Sequence, residues 1–129
     1  MAIRVVRLGA ARAPKEGVRI GTVRRPPRGV RKKDYARLDY FDVWLPELAP
    51  TAALVSGVLS EPFTPRRWAS FKKGYLSEMR QPAQKRLIAL LAGLSSYTNF
   101  SVGCYCENES HCHRSLLKQL LLEAGAKLA

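Results

Sequence analysis

All three cysteines and both histidines of this 129-residue chain fall between residues 104 and 113. The segment reads Cys104-Tyr105-Cys106-Glu107-Asn108-Glu109-Ser110-His111-Cys112-His113-Arg114. It brings thiols, imidazoles, carboxylates and a guanidinium within reach of one another, and three chemistries fit. In the first, Cys112 is a thiolate nucleophile: a helix N-terminus and Arg114 favour the charged thiol, His111 or His113 serves as base, and Glu107 or Glu109 does acid–base work. Cys112, Glu107 and His113 are then the candidate catalytic residues. The Cys-x5-Arg loop of thiol phosphatases does not fit, because Arg114 follows Cys106 by eight residues and Cys112 by two. In the second, the run Cys-x-Cys-x5-Cys-His supplies soft donors, with Cys104, Cys106, Cys112 and His111 as candidate zinc ligands. In the third, the cysteines are small packing residues and only the polar loop and Arg114 are functional.

The elements around this segment must place it. Phe100 to Cys106 alternates with period two and predicts an interior strand, with Cys104 and Cys106 on one face and Tyr105 on the other. Glu107 to His111 is a polar loop. His113 to Ala124 is a helix with an apolar stripe of Leu116, Leu117, Leu120 and Leu121, closed by Gly125. The loop beyond a strand's carboxyl end is where open α/β sheets hold ligands, and Cys112 and His113 fall where a helix N-terminus attracts an anion. Upstream, Ile3 to Leu8 predicts a first strand, Gly9 to Gly17 a loop, and Val18 to Arg24 a short strand. Val18, Ile20 and Thr22 share one face of that strand; Arg19, Gly21 and Val23 share the other. Pro26 and Pro27 end it, and Arg24, Arg25 and Arg28 around them are a candidate anion site. Tyr40, Phe41, Val43, Trp44 and Leu45 form an apolar cluster. Ala52 to Leu59 is a short helix or turn. Thr64-Pro65 opens a helix with Trp68, Phe71, Tyr75 and Met79 on one face, and Pro82 opens another whose Leu87, Ile88, Leu90, Leu91 and Leu94 are expected to be largely buried. Helix, strand, loop and helix in this order predict a single small α/β domain, a mainly parallel sheet covered by helices.

Charge is distributed unevenly. The chain has 22 Lys and Arg against 10 Asp and Glu, and residues 1–33 hold 11 of the basic residues with one acid, Glu16. So basic a strand or arm region attracts phosphate backbones, which makes a nucleic acid, a nucleotide or another anionic ligand the expected partner. A hydrophobic content of 47% excludes wholesale disorder. Apolar runs fall well short of the roughly 20 residues that span a bilayer, and Met1 to Arg12 does not read as a secretory signal. Cysteines crowded into one segment do not make a disulfide framework, so a reducing cytoplasm is the expected compartment. An edge strand near the N-terminus would invite pairing with a second copy, so a homo-oligomer is an open expectation.

The segment Cys104 to Ser115 resembles the carboxyl-terminal signature of the domain of unknown function 488 family, including its YeaO-like branch: an apolar strand ending near Cys and Glu, then a Cys-His-Arg triplet opening the last helix. Arg19 to Arg24 with Pro27-Arg28-Gly29-Val30 is similar to that family's strand and Pro-Arg-Gly turn. Trp44 to Thr51 is similar to its Trp/Leu and Ala-Pro-Ser/Thr block, and Trp68, Phe71, Tyr75 and Glu78 to its helix. In the YeaO-like branch an Asp stands where this chain has Val23. The resemblance implies a small cytoplasmic α/β domain with a grouped polar site, and it assigns no reaction. Arg24, Arg28 and Arg114 match arginines of these blocks. With the backbone N–H groups near Cys112 they are expected to line one crevice for a phosphate group.

Overall fold

The computed structural model describes residues 1–59, 64–105 and 112–129. Four short strands form one parallel sheet: β1 (Ile3–Arg7), β2 (Val18–Gly21), β3 (Val43–Trp44) and β4 (Phe100–Cys104), in the spatial order β1-β4-β2-β3. The last strand in sequence is therefore inserted between the first two. Every residue of β4 is buried and none is charged, as a strand paired on both sides and covered on both faces requires. Its register runs from Ile3↔Phe100 to Arg7↔Cys104 on one side and from Val18↔Phe100 to Gly21↔Gly103 on the other. The sequence pattern extends this strand to Cys106, which lies outside the described residues, as do Glu107, Glu109 and His111.

Helices cover one face: α1 (Ala52–Leu59), α2 (Pro65–Met79), α3 (Pro82–Leu94) and α4 (His113–Glu123). Thr64 caps α2, its Oγ1 accepting from the Arg67 amide, and Pro65 fills the first helical position, where its missing N–H costs nothing. Phe71, Tyr75 and Met79 from α2, Ile88 and Leu91 from α3, and Leu116, Leu117 and Leu121 from α4 meet Ile3, Phe100 and Val102 of the sheet in the main core. Leu90 and Leu94 are 55% and 41% exposed, so α3 is less buried than its leucine content suggests. A helix laid on one sheet face buries a single stripe, here Ile88, Leu91 and Ala92, and positions 90 and 94 fall outside it. No helix among the described residues is long and apolar enough to cross a membrane.

The other face is covered by loops, because no α-helix lies between β1 and β2 or between β2 and β3, where the only helical turn among the described residues is the short 3-10 turn Lys32–Asp34. Gly21 has no side chain where the Phe41 ring lies against the sheet; a Cβ there would stand 2.4 Å from the ring. Alternation puts Arg19 on this face without naming a partner, and the structure supplies one. Arg19 is fully buried, and its Nε and Nη2 donate to the two oxygens of Glu16 at 2.8 and 3.0 Å. Its Nη1 donates to the carbonyls of Ala10 and Asp39, each at 2.7 Å. Ser101 Oγ and the Ala13 amide donate to the same carboxylate at 2.8 and 3.1 Å. A buried charge pair is tolerated only with its hydrogen-bonding capacity met, and this one staples both covering loops to the sheet.

Candidate thiol and imidazole site

β4 delivers Cys104 to the carboxyl edge of the sheet, and α4 starts beside it. Cys112 is the residue preceding the first turn of α4, in extended conformation, and its carbonyl accepts from the Ser115 amide and hydroxyl. The two sulfurs are buried and 2.7 Å apart. Two thiolates at that separation would repel strongly, so the pair holds at most one negative charge.

His113 completes the group. Its Nδ1 lies 3.8 Å from the Cys112 sulfur and its Nε2 lies 2.8 Å from the Thr22 carbonyl oxygen. A carbonyl oxygen only accepts, so Nε2 carries a hydrogen, and when the ring is neutral its Nδ1 lone pair faces Cys112. The Tyr75 ring packs against the imidazole at 5.5 Å, while its hydroxyl donates to the Leu48 carbonyl at 2.8 Å. Burial, helped by the neighbouring Cys112, Cys104 and Glu78, pushes the Tyr75 phenol well above its usual range. Tyr75 therefore stays protonated and acts as a wall rather than a proton carrier. One ligand atom from each of Cys104, Cys112 and His113 lies within 4.8 Å of the others, so these residues could hold a metal ion. His113 thus joins Cys104 and Cys112 of the candidate ligand set; Cys106 and His111 lie outside the described residues.

The three arginines matched by the resemblance have different settings. Arg24 donates through Nε to the Pro50 carbonyl and through Nη2 to the Ala49 carbonyl, both at 3.1 Å, bracing the segment before α1. Arg28 is exposed in the turn after β2. Arg114 is buried in the first turn of α4. Val23 is buried in an apolar cluster with Leu8, Phe41, Cys104 and Cys112.

A family model described as the active DUF488-N3 subclade matches residues 3–125. The chain belongs to the DUF488 family. No curated protein and no solved structure matches it. Within this DUF488 chain, two parts of the site are invisible to sequence reasoning. The Thr22 carbonyl that fixes the His113 tautomer is a backbone atom with no residue signature. Tyr75 reads as one member of an aromatic stripe, and nothing in that stripe announces its contact with His113.

Proposed function

We propose that this DUF488 protein is a phosphate-binding α/β domain that binds or acts on a nucleotide or nucleic acid, with Cys112 as its reacting group and His113 as the proton acceptor. The observation that carries the reading is the Cys112–His113 pair: a sulfur at a helix N-terminus, 3.8 Å from an Nδ1 whose ring is locked by the Thr22 carbonyl. Burial alone makes a thiol inert, but here an imidazole base and the helix terminus both favour the thiolate. Cys104 supports it further, since a neighbouring S–H can donate to the thiolate. The excess of basic residues before β3 favours a phosphate-bearing ligand. Glu107 is retained as the acid–base candidate, and a reducing cytoplasm is the compartment in which the thiol pair stays available. The test is alkylation by iodoacetamide at about pH 6, mapped by peptide mass spectrometry. Cys112 is expected to react faster in the folded protein than in the urea-unfolded chain, and His113→Asn is expected to slow it. Equal or slower reaction when folded overturns the assignment.

A second reading rests on the three converging donors: zinc held by Cys104, Cys112 and His113, with a regulatory or sensing role and no catalysis. Two sulfurs and a nitrogen suit that ion, and an Nε2–H donated to a carbonyl is the usual support of a ligating histidine. Metal analysis of protein purified without a histidine tag decides it; less than about half an equivalent of zinc excludes a stoichiometric site.

A further inference from the structure

The structure sorts the cations of the basic N-terminal region into two groups. Arg19 is committed to Glu16, Arg12 to Asp39 and Asp42, Arg24 to the Ala49 and Pro50 carbonyls, and Arg31 faces Asp34. These guanidiniums already have acceptors within the chain. Arg25 and Arg28 make no side-chain hydrogen bond or ion pair among the described residues and are exposed. Both border a depression of about 630 Å³ whose other walls include Tyr40 and Tyr105. A second depression of about 390 Å³ is lined by Arg7 and the same two tyrosines. The two hollows thus share an aromatic floor, with Arg25 and Arg28 in the larger one, and among the described residues no carboxylate lines either.

The aromatic pair is held in place. The rings of Tyr40 and Tyr105 meet edge to face at 6.2 Å, and the Tyr105 hydroxyl donates to the Arg25 carbonyl at 3.0 Å, tying the ring to the arginine-bearing turn. Tyr105 directly follows Cys104, so this floor adjoins the thiol site across the cluster of Leu8, Phe41 and Val23.

We propose that this groove binds a single strand of nucleic acid, with bases stacked on Tyr40 and Tyr105 and phosphates on Arg25 and Arg28. The inference rests on the phosphate-ligand reading above and names the polymer and its path. Stacking needs bases with exposed faces, which a duplex hides, and successive bases on aromatic rings beside a cationic track is how single strands are held without sequence readout. Two arginines beside two rings suit a chain of phosphates and bases better than a lone nucleotide. An acidic peptide would satisfy the arginines and leave the tyrosines unused.

The test is fluorescence anisotropy with labelled oligo-dT and oligo-U, a duplex of equal length, and polyglutamate as competitor. Both single strands are expected to bind more tightly than the duplex. Two phosphate contacts give a log–log salt slope of about −1.4, so affinity falls about 7-fold between 50 and 200 mM salt. Tyr40→Ala is expected to weaken binding about 10-fold, and Tyr40→Phe to retain it. Arg25→Ala with Arg28→Ala touches only exposed side chains, so it keeps the test valid if Tyr40→Ala destabilises the domain. That double variant should flatten the slope by about 1.4. Duplex binding as tight as single-strand binding, indifference to the double variant, or displacement by polyglutamate at equal charge each overturns the proposal. Cys112 alkylation is measured separately on the same wild-type protein. Fast alkylation without strand binding removes the groove and spares the thiol chemistry; strand binding with a slow thiol does the reverse.

Discussion

Replacing Glu16 with Gln tests how much a buried ion pair contributes to holding the loop-covered face of the sheet. Burial raises the Glu16 pKa, but this is outweighed by hydrogen bonds from Arg19, the Ala13 amide and Ser101 and by the Arg19 charge, leaving the carboxyl at about 2 against an ordinary 4.5. That depression contributes about 3 kcal/mol at neutral pH. Gln offers an amide NH₂ to guanidinium donors already in place, so one contact becomes donor against donor while Arg19 keeps an unbalanced buried charge. The expected loss at pH 7 is about 3 kcal/mol, or about 10 °C in Tm for a domain of this length. The sign follows from the direction of the shift. A depressed carboxyl stabilises the fold above its unfolded pKa and loses that contribution as pH falls from about 5 toward 2. Urea denaturation across pH 2 to 8 should therefore give a wild-type-minus-variant difference that is flat above about pH 5.5 and shrinks toward zero below it. A difference under about 1 kcal/mol at pH 7, or one that does not change on acidification, would refute the reasoning.

Arg12→Ala removes contacts to Asp39 and Asp42 whose side chains are 40% and 32% exposed, and should cost less than about 1 kcal/mol by the same denaturation assay, in contrast with Glu16→Gln. Tyr75→Phe leaves the buried Leu48 carbonyl without its phenol donor; a loss of about 1–3 kcal/mol is expected on thermal melting, with iodoacetamide labelling of Cys112 still faster in the folded protein. Gly17→Ala meets both a φ of +82° and a backbone oxygen, that of Asn99, 2.0 Å from the new Cβ. Adjacent strand ends must separate to admit it, so a fall in Tm above about 10 °C is expected, and a change under about 3 °C would contradict the described loop.

Much of this architecture is legible in the chain. Thr64-Pro65 and Pro82 mark helix starts by local chemistry, Gly125 marks an end, and the stripe from Trp68 to Met79 points its own way into the core. The thiol site is legible in part. Cys112 and His113 are placed at a helix start by the apolar period that follows them, but the face His113 takes, and its buried bond to Thr22, depend on β2 lying beside β4. Strand order is not a local property: β1 and β2 look like neighbours in sequence, and only the closed structure separates them. Arg19 shows the same limit. Alternation gives it a face, but Glu16 and the Ala10 carbonyl nearby meet the Asp39 carbonyl and Ser101, 85 residues from Glu16, only in the closed structure.

The insertion of β4 between β1 and β2 sets the timing of folding during synthesis. Neither N-terminal strand has its long-range partner until Phe100–Cys104 has left the ribosome, and β2 can meet beforehand only the two residues of β3. About four-fifths of the chain must wait with strand backbones unpaired, a state that invites association with other nascent chains. Arginines in β1 and β2, and in the turns that follow them, give that waiting segment a strong like charge that discourages such pairing. A chain truncated before Phe100 should therefore stay dispersed and sheetless; the release of residues 100–104 lets the sheet form, and the residues that follow, from Tyr105 to His113, complete the groove and the thiol site.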